Sequence, residues 1–346
     1  MTIEITPTRP GDAAQERLAE FLGRQYPELE ALQVIELSEF GEGWETDLYR
    51  LRLTGTRRGK PSPLGLVLRL YKGSDALEKA RKEFSLMTGV TPFGIPTPRV
   101  DALVTDLSIL EHPFIVMEHI QGGTLDERIR TEGVSQWLDP MMQVLARIHA
   151  IPWEELITEP EGPLPQSDEP LAFIRSLLGE MDRTIDRYGL TDFGPTKDWL
   201  HEREALGAAT APALIHNDYH PQNILIKEDE LVIIDWSFAE ISDYRMDLAW
   251  SVLLIGVLAG HEHRSAMLEA YERAAGSPVE NFEYFEALKF TMRMLTIATW
   301  LDEAVEVPVP RITKQAIRGD YKVHVLNPYR RLKEITGLEI RTIEEL

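Results

Sequence analysis

The sequence contains no cysteine among its 346 residues. Disulfide bonds, thiolate zinc sites and cysteine nucleophiles are therefore excluded. Basic residues are also few, since 36 Lys and Arg stand against 57 Asp and Glu and give a formal net charge of −21. Because nucleic-acid binding needs a basic footprint, we expect no nucleic-acid partner. An acidic chain is compatible with a cationic ligand, although much of this charge is typical of a solvated surface.

Long hydrophobic runs are missing as well. The longest apolar stretch, LAWSVLLIGVLA, covers the 12 residues 248–259. A helix that spans a membrane needs about 20 apolar residues, so this stretch predicts a buried helix and we expect no membrane partner. The N-terminal residues MTIEITPTRPGDAAQ do not show the basic start and apolar core of a signal peptide. We therefore expect a cytoplasmic protein. Its oligomeric state is expected to be a monomer or a homodimer.

Hydrophobic periodicity divides the chain into two parts. Residues 12–26 have helical spacing, and residues 31–120 read as three strands, a helix and a strand, with a further strand near 100–111. After residue 121 the pattern is that of long helices. The expected fold class is α+β, with a small N-terminal lobe over 1–120 and a larger, mainly helical lobe over 121–346. The glycine pair at 122–123 is a plausible hinge, and a cleft between two lobes is a usual ligand site.

The stretch IHNDYHPQNIL, residues 215–225, carries chemistry that needs an explanation. His216, Asp218 and His220 stand at alternate positions, and alternate residues of an extended segment point the same way. They could bind a transition metal, but no fourth ligand follows at a recognisable spacing. A metal-dependent hydrolase is kept as an alternative on this ground.

A wider window suggests a different arrangement. Two apolar segments enclose the charged turn KEDE, which predicts a hairpin with Asn223 before its first strand and Asp235 at the end of its second. An amide oxygen and a carboxylate are oxygen ligands suited to Mg²⁺. Asp218, five residues before Asn223, can lie beside that ion without binding it. A phosphoryl-transfer enzyme needs this combination of metal ligands and a separate carboxylate that orients the attacking hydroxyl group.

The pattern H-x-D-x-x-x-x-N followed by I-D-W resembles the catalytic core of the aminoglycoside/choline phosphotransferase family, which has a protein-kinase-like fold of two lobes. The resemblance implies that Asp218 is the catalytic base and that Asn223 and Asp235 bind Mg²⁺. The matching residues are His216, Asp218, His220, Pro221, Asn223, Ile234, Asp235 and Trp236. In the segment YRMDLAW, which is similar to the family's following D-L-A segment, Asp247 would begin a helix and brace the loop. The resemblance implies supporting roles for His216 and His220, with His220 a buried, hydrogen-bonded histidine.

The resemblance extends into the N-terminal lobe. FGEGWETDLYRL stands where the family has its nucleotide-covering loop, which assigns Gly41 and Gly43 to nucleotide binding. IVMEHIQGG resembles the hinge that binds adenine through its backbone. It implies that Met117 is the gatekeeper and that backbone groups of Glu118 and Ile120 receive the adenine of ATP, with GTP also possible.

One position in this lobe departs from the kinase pattern. A kinase uses a strand Lys, paired with a helix Glu, to hold the α- and β-phosphates. LVLRLYKG offers Arg69 instead, which alternates with leucines and so faces away from them. We favour Arg69 as the phosphate anchor and Glu83 as its partner, with Lys72 in reserve. Arg is a planar fork and Lys a point charge, so the two are not equivalent.

The resemblance implies ATP- and Mg²⁺-dependent transfer of the γ-phosphoryl group to a hydroxyl group of a small molecule. Acidic segments such as DEP, GEMD and LDEAVE would suit a cationic acceptor like an aminoglycoside or a choline-like compound, while a sugar, a macrolide or a hydroxyacyl compound remains open. A catalytically impaired nucleotide-binding module is a second alternative, should Arg69 be unable to replace Lys. A protein kinase is disfavoured, because only the 11 residues 236–246 separate Asp235 from Asp247 and leave no room for an activation loop.

Overall fold

The computed structural model describes residues 12–42, 46–157, 164–165, 168–209, 211–302, 304–305, 307 and 313–346. The chain divides into two compact units, Met1–Gln121 and Gly122–Leu346. The boundary predicted after residue 120 lies one residue from this division. An antiparallel sheet dominates the first unit and helices dominate the second, which confirms the α+β class.

The N-terminal unit is built on a six-stranded antiparallel sheet. Its strands lie in the order β1-β2-β4-β6-β5, with β3 paired to β2. The elements are α1 (Asp12–Gln25), β1 (Glu30–Glu42), β2 (Thr46–Arg57), β3 (Lys60–Pro61), β4 (Leu64–Tyr71), α2 (Ala76–Val90), β5 (Val100–Val104), α3 (Leu107–Leu110) and β6 (Phe114–Glu118).

Alternation along β4 decides which of its residues enter the apolar core. Leu66, Leu68 and Leu70 belong to the core cluster that also contains Leu18 and Leu22 of α1. Because successive side chains of a strand point to opposite faces of the sheet, the residues between these leucines face away from that cluster. The strand arginine was predicted to lie on this second face.

One local expectation for this unit was wrong in detail. The strand predicted near 100–111 ends at Val104, because Asp106 caps the short helix α3 by accepting a hydrogen bond from the Ser108 N–H at 2.9 Å. Asp75 occupies the position before α2 but makes no capping hydrogen bond with its side chain. Its carboxylate lies 2.9 Å from Lys79 Nζ instead.

The C-terminal unit consists of helices around two short two-stranded sheets. β8 pairs with β9 to form the hairpin predicted around KEDE, and β7 pairs with β10. The elements are α4 (Leu125–Glu132), α5 (Ser135–His149), α6 (Ala172–Tyr188), α7 (Gly194–Glu202), β7 (Ala213–Ile215), β8 (Ile224–Lys227), β9 (Glu230–Ile233), β10 (Glu240–Ser242), α8 (Tyr244–Ala259), α9 (Arg264–Ala275), α10 (Phe282–Leu301), α11 (Lys314–Arg318), α12 (Lys322–Thr336) and α13 (Arg341–Glu344).

Helix α8 contains the longest apolar run and packs within this unit against α10 and α12. It begins at Tyr244, and Asp243 caps it by accepting a hydrogen bond from the Arg245 N–H at 3.0 Å. Asp247 was expected to begin the helix, but it lies within the first turn. No helix within the described residues combines the length and the apolar character that crossing a membrane requires.

The two glycines at the start of the C-terminal unit are held against strand β8. The carbonyl of Gly123 accepts a hydrogen bond from the Ile226 N–H at 3.0 Å. A Cβ atom at Gly122 would lie 1.9 Å from the Ile226 carbonyl oxygen. Gly122 is therefore needed for a close approach of two backbones, and this contact helps to place the hairpin.

We predict that Gly122→Ala lowers the free energy of unfolding by about 1–3 kcal/mol, because the added methyl group meets backbone that cannot move away as a side chain could. Gly23→Ala is the matched control, since Gly23 is exposed within helix α1 and, apart from its chain neighbours and its own helix backbone, no atom of the described residues lies within 4 Å of the place a Cβ would take. The control should be neutral or slightly stabilising, because alanine favours a helix more than glycine does. Denaturant unfolding measures both variants, and a Gly122→Ala protein as stable as the Gly23→Ala protein would contradict the steric argument.

Candidate active site

One fully buried carboxylate holds the start of the loop between β7 and β8. Asp247 accepts hydrogen bonds from the His216 N–H at 2.7 Å and from the Asn217 N–H at 3.0 Å. His149 Nε2 lies 3.2 Å from the same carboxylate. Burial opposes ionisation, but the hydrogen bond and charge of His149 and the loop N–H groups outweigh it and hold the pKa of Asp247 below its usual range. The loop is thereby tied to the first turn of α8.

His216 ties the same loop to the segment that precedes Asp235. Its Nε2 lies 3.1 Å from the Ile234 carbonyl oxygen. A carbonyl can only accept a hydrogen bond, so Nε2 carries the proton in this contact. The ring is fully buried, and burial lowers the pKa of His216, which favours the neutral imidazole. It packs against the Trp236 ring with 4.8 Å between centroids.

Asp218 lies in the middle of the loop, with partners on both carboxylate oxygens. Asn223 Nδ2 donates to Oδ2 at 2.7 Å, and Trp250 Nε1 donates to Oδ1 at 3.2 Å. His220 Nε2 lies 3.4 Å from Oδ2. Burial raises the pKa of Asp218. The hydrogen bond and charge of His220 and the Trp250 hydrogen bond have the larger, opposite effect, and the resulting pKa is about 2. The side chain is an ionised, oriented carboxylate at neutral pH.

His220 lies against the Asp218 carboxylate, with 14% of its side chain exposed. It is hydrogen-bonded as expected, but it is not completely buried. Its Nδ1 accepts a hydrogen bond from the Gln222 N–H at 3.4 Å. His216 faces the Ile234 carbonyl while His220 faces Asp218, so the three side chains of the transition-metal alternative do not converge. In the part of the chain that the structure describes, no group of three or more His, Asp or Glu side chains is arranged to hold a metal ion.

The hairpin brings Asn223 and Asp235 to the same end of its two strands. The Ile234 N–H donates to the Asn223 carbonyl at 3.0 Å, just before Asp235. Both amide hydrogens of Asn223 are directed to Asp218, one to the carboxylate and one to the main-chain carbonyl at 3.0 Å. The Asn223 Oδ1 atom is therefore the one left for a cation. An amide oxygen beside a carboxylate fits the oxygen ligands of Mg²⁺.

Asp235 has a backbone conformation that few side chains adopt. Its φ is 63°, in the left-handed region where Asp and Asn are the most tolerated residues after glycine. Ser237 Oγ donates to its Oδ1 at 2.5 Å. Strained backbone of this kind costs about 1–3 kcal/mol and persists where its surroundings hold it in place. The hairpin and the His216 contact provide those surroundings.

Sequence reasoning missed two side chains that complete this site. Trp250 donates to Asp218, and Lys289 of α10 donates from Nζ to Asn217 Oδ1 at 3.0 Å. The Lys289 ammonium also lies 5.2 Å from the centroid of the Trp250 ring. Trp250 follows Asp247 by three residues, and positions three apart share a helix face. This spacing could have placed Trp250 near the loop that Asp247 holds. Lys289 lies in no local motif that would predict its position at the site.

In the N-terminal unit, the structure brings Arg69 and Glu83 together. Arg69 Nε lies 3.2 Å from Glu83 Oε2, and both side chains are buried. The Tyr71 hydroxyl group donates to Glu83 Oε2 at 2.5 Å. Lys72, the reserve candidate, is half-exposed and lies 2.5 Å from Asp47 Oδ2. Arg69 is thus the cation that meets the α2 glutamate, while contact with phosphate stays a prediction.

The other predicted nucleotide-binding residues lie along the sheet of the same unit. Met117 is buried in β6, and the Glu118 N–H donates to the Arg99 carbonyl at 2.8 Å. The N–H of Glu118 is therefore used within the sheet. Ile120 is buried just beyond β6. Gly41 lies in β1 opposite Leu48, and Gly43 lies outside the described residues.

A sheet unit followed by a helical unit, which contains the Asp218–Asn223 loop and Asp235 after a hairpin, is the architecture of a kinase-like fold. The phosphotransferase enzyme family model, APH, matches residues 36–290. The chain belongs to that family, and the resemblance to aminoglycoside and choline phosphotransferases is confirmed.

Two curated relatives are similar over most of this chain. Mouse acyl-CoA dehydrogenase family member 10 is 26% identical over 264 residues, which cover 72% of this chain and 23% of that protein. Acyl-CoA dehydrogenase family member 11 from Pongo abelii is 23% identical over 324 residues, which cover 82% of this chain and 40% of that protein. The chain thus spans between about a quarter and two fifths of the length of these relatives.

Solved structures share the fold at low sequence identity. A thermostable mutant of the aminoglycoside phosphotransferase APH(4)-Ia, in complex with AMP-PNP and hygromycin B, is 16% identical with a TM-score of 0.57, covering 92% of this chain and 97% of that one. An ethanolamine kinase from Plasmodium vivax is 14% identical with a TM-score of 0.59, covering 95% and 88%. A choline/ethanolamine kinase family protein from Mesorhizobium loti is 13% identical with a TM-score of 0.52, covering 90% and 93%. These likenesses confirm the kinase-like fold.

We predict that Trp250→Phe lowers kcat/KM about tenfold, because the variant keeps an aromatic ring but loses a hydrogen bond to a charged group, of roughly 1.5 kcal/mol. Trp199→Phe is the matched control, since Trp199 stacks on Tyr284 with 6.4 Å between ring centroids. Steady-state release of ADP measures both. Equal rates in the two variants would show that the Trp250 contact does not help to orient Asp218.

Proposed function

We propose that the protein transfers the γ-phosphoryl group of ATP to a hydroxyl group of a small molecule, in a reaction that depends on Mg²⁺. The observation that carries this proposal is the contact between Asp218 and Asn223, in which both amide hydrogens of Asn223 are committed to Asp218. This arrangement orients a carboxylate and leaves the amide oxygen for a cation near Asp235. Family membership supports the phosphotransferase class, and the nucleotide, the metal ion and the acceptor are part of the proposal.

Asp218 would act on the acceptor mainly by orienting it. A carboxylate with a pKa of about 2 is ionised but weakly basic. It accepts a hydrogen bond from the acceptor hydroxyl group and takes the proton late, as the oxygen–phosphorus bond forms and the bond to the β-phosphate oxygen breaks. ADP leaves, and the proton passes from Asp218 to solvent. Asn223 and Trp250 keep the carboxylate in place throughout.

Asn223 Oδ1 and the Asp235 carboxylate would hold Mg²⁺, which supplies positive charge to the phosphates when it is bound. In the N-terminal unit, Arg69 would contact the α- and β-phosphates, with Glu83 fixing the direction of its guanidinium group. Backbone groups of Glu118 and Ile120 would receive the base, and GTP is possible beside ATP. We place the reaction in the cytoplasm.

Asp218→Asn should lower kcat by about 100-fold or more, the scale of a lost general base, while binding of AMP-PNP with Mg²⁺ stays near the wild-type level. Asp182→Asn is the matched control, because Asp182 stands on α6 and its carboxylate contacts His201 at 3.1 Å. Calorimetry with AMP-PNP and a coupled assay for ADP measure binding and turnover.

Asp235→Asn provides the contrast within the same assays. It should weaken AMP-PNP binding in the presence of Mg²⁺, because a ligand carboxylate is lost. Turnover in Asp218→Asn close to that of Asp182→Asn would show that Asp218 is not the base. Unchanged Mg²⁺-dependent binding in Asp235→Asn would remove Asp235 from the metal site.

A further inference from the structure

A group of cationic and aromatic side chains lies beside Asp218 in the helical unit. Lys289 and Arg293 stand one turn apart on α10, and both lie over the Trp250 ring, with distances to its centroid of 5.2 and 5.8 Å. Arg293 Nη2 donates to the Tyr321 hydroxyl group at 2.7 Å. The Tyr321 ring stacks on His324 with 4.7 Å between centroids. We call these five residues the basic cluster.

The two cations of the basic cluster differ from other basic residues of this unit in their partners. Arg245 pairs with Asp243 at 2.7 Å, and Arg264 pairs with Glu286 at 2.5 Å. Among the described residues, no carboxylate forms an ion pair with Lys289 or Arg293, whose hydrogen bonds go to neutral oxygens. In a chain with a net charge of −21, two neighbouring cations of this kind are unusual.

The electrostatic surroundings distinguish the two cations. Burial lowers the pKa of Lys289, and the more distant charges of Asp247, Glu240 and Asp218 act in the opposite direction. Its charge is therefore partly balanced by acids it does not touch. Burial, followed by the positive charge of Arg293, lowers the pKa of His324. Arg293 thus acts electrostatically on His324, the histidine that stacks on its hydrogen-bond partner Tyr321.

The basic cluster is connected to Asp218 through one side chain. Trp250 connects the two, since its Nε1 donates to Asp218 while its ring faces both cations. Lys289, Arg293 and Trp250 are each partly exposed as residues. A guanidinium group is a planar fork that matches a carboxylate or a phosphate.

We propose that the acceptor carries an anionic group, a carboxylate or a phosphate ester, which Arg293 and Lys289 bind while its hydroxyl group faces Asp218. This inference rests on the proposed phosphotransferase function and replaces the cationic acceptor expected from the acidic segments. In one of those segments Asp182 already contacts His201, and in another Glu303 and Glu306 lie outside the described residues. The aromatic rings of the basic cluster would pack against the carbon skeleton of the acceptor.

The test compares acceptors of one chain length that differ in charge. ω-Hydroxyvalerate and pentanediol monophosphate are the anionic members, ω-hydroxyvaleramide and pentanediol the neutral ones, and aminopentanol the cationic one. With ATP and Mg²⁺, kcat/KM from ADP release should be highest for an anionic member, and the ranking of the two anions identifies carboxylate or phosphate. Higher values for aminopentanol or the neutral members, or no stimulation by either anion, overturn the proposal.

Two variants that each remove one positive charge test whether the preference for an anionic acceptor depends on the basic cluster. Arg293→Met should raise KM for the preferred anion about 10- to 100-fold, the scale of charge-assisted hydrogen bonds, with a much smaller change in kcat. Arg273→Met, which removes an exposed arginine paired with Asp139, should leave KM unchanged. Equal losses for the anion and for pentanediol in Arg293→Met indicate a structural role and contradict the proposal.

Binding of AMP-PNP with Mg²⁺ to the wild-type protein separates this inference from the function on which it rests. Retained binding and turnover of neutral or cationic members would overturn the anionic acceptor and leave the phosphotransferase intact. Absence of Mg²⁺-dependent nucleotide binding would overturn the proposed function itself.

Discussion

The two main-chain hydrogen bonds that Asp247 accepts from His216 and Asn217 fix the loop on which the rest of the helical unit's site depends. A buried carboxylate that has main-chain N–H groups and His149 as partners stays ionised, so the loop is held by a charge that water does not screen. From this fixed start, the loop presents Asp218 to Asn223 and Trp250. Loss of the Asp247 contacts would free the start of this loop at His216 and Asn217.

The same loop has potential metal ligands and cationic side chains as neighbours. On one side, Asn223 Oδ1 and Asp235 offer oxygen atoms to a cation, and on the other side α10 offers the cations Lys289 and Arg293. Asp218 lies between them as an ionised group held by neutral donors and His220. In the proposed reaction, Asn223 and Asp235 would serve the phosphates, Lys289 and Arg293 would bind the acceptor, and Asp218 would serve the transfer between them.

The sequence could predict the parts of the site that are local in the chain. Asp218, Asn223 and Asp235 follow from a loop of fixed spacing and from one hairpin, since β8 and β9 bring the ends of a short segment together. The position of Arg69 could also be predicted, because alternation along a strand decides which face of the sheet a side chain occupies. Trp250 and Lys289 were not predicted, since periodicity defines a helix face but not which loop that face meets. The charge of the acceptor stays a prediction, since counts of acidic residues do not show which acids have partners.

Phosphorus NMR of a mixture of the protein, ATP, Mg²⁺ and ω-hydroxyvalerate tests most directly whether the protein transfers a phosphoryl group to a hydroxyl group. Our account predicts that the γ-phosphate resonance of ATP decreases while a phosphomonoester resonance of the acceptor grows in equal amount, with ADP as the other product. Formation of inorganic phosphate alone would mean that water is the acceptor and would contradict the account. Persistence of the ATP resonances with every acceptor of the charge series would contradict it as well.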